Sequence, residues 1–208
     1  MEKLKRRYSI LSKQIADCWL VIGMIQAMKE NLVGQGRVYT NTSNVDAKNY
    51  LYCLEENLTI ERYKIEKQIV AKILNLIENG LSPYTEFVPY KLPTGTTNLI
   101  HKTKFILCEY DGFYYLLSGS IEPNEETYLT SIHNNLKEAV DGFYNKCQGY
   151  INIRKTIDFR NDITPEQQAK LDKVEYNEIP KYDEILKQFT KSSSTETYVD
   201  EFDSQNKS

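Results

Sequence analysis

Histidine is scarce in this chain: His101 and His133 are the two present among 208 residues. They fall in different predicted elements, and neither has a histidine partner one helical turn away. A zinc site or a histidine-based nucleophile would need assembly from remote segments, so both read as structural or solvent-facing. Cysteine is nearly as sparse. Cys18, Cys53, Cys108 and Cys147 are scattered, with no C-x-x-C among them. Such spacing argues against a compact thiolate metal site and reads as free thiols in a reducing, cytoplasmic compartment. Phosphate-cradling loops are missing too: Gly34-Gln35-Gly36 follows a helix, lacks a third glycine and reads as a turn. The apolar run from Cys18 to Met28 holds about eleven residues, against roughly twenty for a membrane-spanning helix. A secretory signal is disfavoured because Gln14 and Asp17 precede the run and no A-x-A site follows. The net charge of −3 gives no general attraction to nucleic acid or acidic lipid, although Lys3, Lys5, Arg6 and Arg7 make the start locally basic.

Conventional catalytic sets are also wanting. Glu109 and Asp111 are near neighbours, but Asp111 is needed by a turn and Glu109 suits a strand edge. Asp158, Asp162 and Lys155 form no nuclease-like arrangement. The expectation is a non-enzymatic chain with no cofactor and no bound metal.

What the chain does have is a sharp opening pattern. Leu4, Tyr8, Leu11, Ile15, Cys18, Ile22 and Ile25 recur in alternating steps of four and three, with Leu32 one heptad further. That spacing predicts a helix from about Glu2 to Glu30 with a coiled-coil seam. Trp19, Val21, Met24 and Met28 widen the seam until its second half is apolar nearly all round, so enclosure on more than one side is expected. A loop through Gly34, Gly36 and Thr40 to Asn44 leads to a second helix from about Asp46, capped by Asn44 or Asp46. Its stripe is Leu51, Leu54, Leu58, Ile65, Ile69, Ile73 and Leu76, ended by Gly80 and Pro83.

From Tyr84 the period changes. Pro89, Pro93 and Gly95 punctuate an expected edge strand and turn. Lys104 to Tyr110 and Phe113 to Ser118 flank Asp111-Gly112, the signature of a two-residue type I′ hairpin. Counting outward places Tyr110, Phe113, Cys108, Tyr115, Ile106 and Leu117 on one face. Glu109, Tyr114, Leu107, Leu116 and Phe105 share the other. Both faces are largely apolar, so a second layer or a partner is expected over whichever face one helix leaves open. A third helix is predicted from Asn124 or Glu125 to Gly149, with Leu129, Ile132, Leu136, Val140, Phe143 and Cys147 inward. Ile151 to Phe159 alternates like an amphipathic strand. Thr164-Pro165-Glu166-Gln167 opens a short polar helix to about Val174, and a last turn or two runs from Tyr182 to Phe189.

The fold class expected is α+β: an N-terminal helical hairpin or coiled coil, then a small antiparallel sheet with one packed helix, then a C-terminal helical extension. The divisions are residues 1–82, 83–160, 161–191 and a flexible acidic tail over 192–208. Function is expected from association. The interface residues nominated are Leu4, Tyr8, Leu11, Ile15, Trp19, Ile22 and Ile25, with Tyr198 and Phe202 as anchors of a docking tail. The partner is a protein or a second copy, not a membrane. Heavy use of Lys, Asn, Ile and Tyr suits an AT-rich genome, for which a phage virion component or a binder of a host factor is one setting. The alternative is a nucleic-acid-binding or regulatory module that stacks bases on Tyr110, Phe113 and Tyr114, flanked by Lys104 and Arg154.

Overall fold

A computed structural model describes residues 1–34, 42–91, 103–120, 126–156, 164–166, 169 and 174–193. The chain separates into two compact units, residues 1–71 and 72–208.

The first unit holds α1 (Glu2–Gly34) and most of α2 (Thr42–Glu78). The helices are antiparallel, because side-chain contacts step up α1 as they step down α2. Arg7 Nε donates to Glu61 Oε1 at 3.1 Å, Trp19 meets Tyr52 edge-to-face at 5.8 Å, and Lys48 Nζ donates to Gln26 Oε1 at 2.9 Å. The heptad seam of α1 turns inward as its spacing dictates: Leu11, Ile15, Cys18 and Ile22 are buried. Leu51, Leu54 and Leu58 of α2 are half-buried. The helix starts at Thr42, a turn earlier than expected. Its end follows the glycine signal closely. Gly80 takes φ 93° while its N–H bonds Ile77 O at 3.0 Å, and Leu81 N–H bonds Leu76 O at 2.9 Å. These two bonds make a Schellman cap, which satisfies carbonyls that the helix end would otherwise orphan.

In the second unit, β1 (Tyr84–Phe87), β3 (Thr103–Tyr110), β4 (Phe113–Ser120) and β5 (Thr127–His133) form an antiparallel sheet in the order β1-β3-β4-β5. A separate two-stranded ribbon pairs β2 (Tyr90–Lys91) with β6 (Glu175–Tyr176). The central hairpin has the register counted from Asp111-Gly112: Tyr110 opposes Phe113, Cys108 opposes Tyr115, and Ile106 opposes Leu117. Asp111 and Gly112 both have positive φ, 55° and 68°, as a type I′ turn requires.

Two expected elements are corrected. Residues 127–133 are a strand, and the third helix begins only with α3 (Leu136–Thr156). Asn135 starts that helix, its Oδ1 accepting from the Glu138 N–H at 3.2 Å. The strand expected over residues 151–159 is also helix as far as Thr156. Ile151 extends the α3 stripe by four residues from Cys147, and burial on a continuing helix outweighs a local alternation. Gly149 lies inside α3 and does not end it.

α3 packs on one sheet face with α4 (Tyr182–Ser193). Phe105, Leu107 and Leu116 meet Ala139, Val140, Phe143 and Cys147 of α3, and Ile185 and Phe189 of α4 join the same core. Burying each large side chain here contributes about 1.5–3 kcal/mol. Tyr182 Oη donates to Asp141 Oδ1 at 2.7 Å, tying α4 to α3. Gln188 of α4 bonds β1 twice: Nε2 donates to Tyr84 O at 2.6 Å, and Oε1 accepts from Thr85 Oγ1 at 3.0 Å. The opposite sheet face is closed as well, with Ile106, Cys108, Tyr115 and Leu117 all buried. Lys72, in the last turns of α2 that belong to this unit, places Nζ 5.8 Å from the Tyr110 ring centre.

Candidate interaction surface

Several large apolar side chains stay exposed on the helical hairpin. Of the residues nominated for association, Leu11, Ile15 and Ile22 are buried, and Leu4, Tyr8 and Ile25 are half-buried. They serve the seam within the hairpin. Burial, with Glu66 nearby, raises the Tyr8 phenol above its ordinary value against the opposing pull of Arg62. Trp19 is different: it stays 50 % exposed.

Its neighbours are more open still. Leu20 (64 %), Met24 (59 %) and Met28 (62 %) stand out from α1, and Tyr50 (66 %) does so from α2. No charged residue occurs between Cys18 and Met28. Scattered exposed apolar residues need no explanation, but contiguous uncharged ones resemble the core of a protein interface, where charge is depleted and aromatics and Met are enriched. Sequence reasoning marked this run as apolar all round. It did not separate the side chains spent on the seam from those left over, because that division depends on where α2 lies.

The nominated base-stacking residues are brought together only in part. Tyr110 and Phe113 lie on the sheet face with Lys104, whose Nζ sits 3.6 Å from Glu86. Tyr114 lies on the other face, edge-to-face with Phe189 at 6.0 Å. Burial and the Glu109 carboxylate raise its phenol above the ordinary value. Arg154 stands on α3, on a helix and not on a strand beside the hairpin. Tyr198 and Phe202 lie outside the described residues.

His133 has a partner that the sequence did not announce: its Nε2 shares a 2.8 Å hydrogen bond with Ser131 Oγ, two positions earlier on β5. α3 closes over the ring, since a Cβ at Gly142 would sit 3.3 Å from that nitrogen. Among the described residues, no group of three or more His, Cys, Asp or Glu side chains is placed to hold a metal ion. Nor is any described helix long and apolar enough to cross a membrane. No family model, curated protein or solved structure matches this chain.

Proposed function

We propose that this chain is a non-enzymatic interaction protein that assembles through its N-terminal helices. The observation that carries the reading is the uncharged run of α1, from which Leu20, Met24 and Met28 project although the heptad seam is already used within the hairpin. Among the described residues these side chains remain exposed beside a seam that is already paired, and leaving them in water forgoes about 25 cal/mol for each Å2. The compositional setting of a virion component or a binder of a host factor suits such a role.

The test is association measured in two ways. The full chain and its Leu20→Asp/Met24→Asp variant are compared by sedimentation and by affinity capture from cells of the source. Self-association or capture of a specific protein by the wild type, lost in the variant, is the expected result. A wild type that stays monomeric and captures nothing the variant does not also capture would overturn the reading. Micromolar binding of a short single strand at physiological salt, lost in Tyr114→Ala, would put the nucleic-acid alternative in its place.

A further inference from the structure

The seam of α1 has a second stripe beside it. Ile10, Gln14, Asp17, Val21 and Met24 repeat the same alternation of four and three, each one residue before a seam residue, and Met28 continues it by one more step of four. One residue of α-helix is a rotation of about 100°. α1 thus carries two contact lines roughly a right angle apart. A helix at the corner of a four-helix bundle has this requirement: one neighbour on each of two sides at about 90°.

α2 is built the same way. One residue before Leu51, Leu54 and Leu58 come Tyr50, Cys53 and Asn57, and Ile60 follows three residues on. Tyr50, Cys53, Asn57 and Ile60 are all exposed. The antiparallel pairing now decides the geometry. Equal rotations about oppositely directed axes carry the second stripes of α1 and α2 to the same side of the hairpin. They are also level with each other. The contact of Trp19 with Tyr52 places Val21 beside Tyr50, and the Arg7–Glu61 pair places Ile10 near Ile60. The reverse side carries Trp19, Tyr52 and the Lys48 ammonium, which contact one another: the Trp19 and Tyr52 rings meet edge-to-face and the ammonium lies 5.6 Å from the Tyr52 ring centre.

We infer that this face of the hairpin seats the same face of a second copy, closing a four-helix bundle. The inference deepens the proposed function and rests on it. Three observations choose a second copy over another partner. The right-angle offset occurs on both helices, so one hairpin supplies two corners of a square and its copy the other two. Between Ile10 and Met28 Asp17 is the single charged stripe position, and Tyr50, Cys53, Asn57 and Ile60 carry no charge. Lys3 and Arg7, which precede Leu4 and Tyr8, lie in the first two turns, where Arg7 is already paired with Glu61, so the middle of the face offers no charge pattern to select a foreign surface. The area is also sufficient. With Met24 at 59 %, Met28 at 62 % and Tyr50 at 66 % exposure, the face offers on the order of 800 Å2, the share one partner brings to a standard interface. A two-fold contact uses one self-complementary patch twice and leaves no open end for further growth.

The test uses the full chain. Sedimentation at tens of micromolar should show a dimer for the wild type and for Tyr52→Glu on the reverse side, and a monomer for Met24→Glu. Helical circular dichroism should match across all three, which separates dissociation from unfolding. Cys53 gives a second readout without mutation. Its maleimide labelling in the wild-type dimer should be at least several-fold slower than in Met24→Glu. A monomeric wild type would overturn the second copy as occupant, while variant-sensitive capture of another protein would leave the wider function standing. A dimer broken by Tyr52→Glu and not by Met24→Glu would assign the interface to the opposite side and refute the stripe argument.

Discussion

The pairing of β4 with β5 can be tested by adding one methyl group. Gly119 opposes Thr127, and a Cβ placed on it would lie 2.5 Å from Thr127 Oγ1 and 2.8 Å from Thr127 Cα. The second of these is a backbone atom, so rotamer change alone cannot relieve the clash and strand β5 must shift. Overpacking of this kind costs about 1–3 kcal/mol. For a chain of this size each kcal/mol lowers Tm by about 2–4 °C, so Gly119→Ala should melt roughly 2–12 °C below the wild type. Gly149→Ala is the matched control. That glycine sits inside α3 with nothing within 4 Å of a Cβ, and alanine in a helix interior is favoured by about 0.8–1.0 kcal/mol. The control should therefore melt about 2–4 °C higher. Thermal unfolding followed by circular dichroism reads both. If residues 127–133 were helical, as their apolar spacing suggests, Gly119 would have no neighbour there and alanine would be neutral or favourable. A Gly119→Ala protein as stable as the wild type would refute the strand pairing.

Titration of the monomeric Met24→Glu variant with a thiol reagent should modify Cys53 rapidly and leave Cys18, Cys108 and Cys147 protected until denaturant is added, since Cys53 is exposed on the single chain and the others are buried. Burial raises the Cys108 and Cys147 thiols from 9.0 to about 12. The folded state then keeps protons that the unfolded chain releases, so their contribution is whole below pH 9 and lost as pH rises toward 12. At pH 10 each buried thiol should lower stability by about 1.4 kcal/mol, and Cys147→Ala should flatten the alkaline limb of a urea-unfolding series. Phe143→Ala removes a fully buried ring from the core between α3 and the sheet; it should cost about 3–5 kcal/mol by urea denaturation, and a loss below 1 kcal/mol would contradict its placement.

Legibility varied with how local the deciding interaction is. The hairpin could be read residue by residue because Asp111-Gly112 sets both the turn and, through it, every pair outward. The Gly80 stop was equally local. The strand at residues 127–133 imitates a helix for a specific reason. Its pairing shifts by one between Leu116 and Leu117, leaving Thr130 as the bulged residue. Leu129 and Ile132, three apart, thereby come to the same sheet face, which is a helical spacing produced by a bulge. Asn135 and Glu138 held the correcting signal, an N-cap and the acidic residue three positions later. The ribbon of β2 and β6 joins two-residue strands far apart in sequence, and so short a strand has no period to detect. On the candidate surface, the seam was legible from spacing alone. The exposure of Leu20, Met24 and Tyr50 emerged only once the helices were paired.

The two contacts of Gln188 with β1 bear on how this protein avoids the wrong kind of assembly. β1 and β5 are the outer strands of the sheet, and an outer strand with a bare row of amides and carbonyls is a template on which another chain can add itself. On one margin a glutamine amide from α4 takes the Tyr84 carbonyl and meets the Thr85 hydroxyl, so an arriving strand would have to displace it. On the other margin the bulge at Thr130 bends the strand out of the flat shape that stacking needs. Strand addition is obstructed at both margins, which keeps the sheet from becoming a nucleus for fibrous growth.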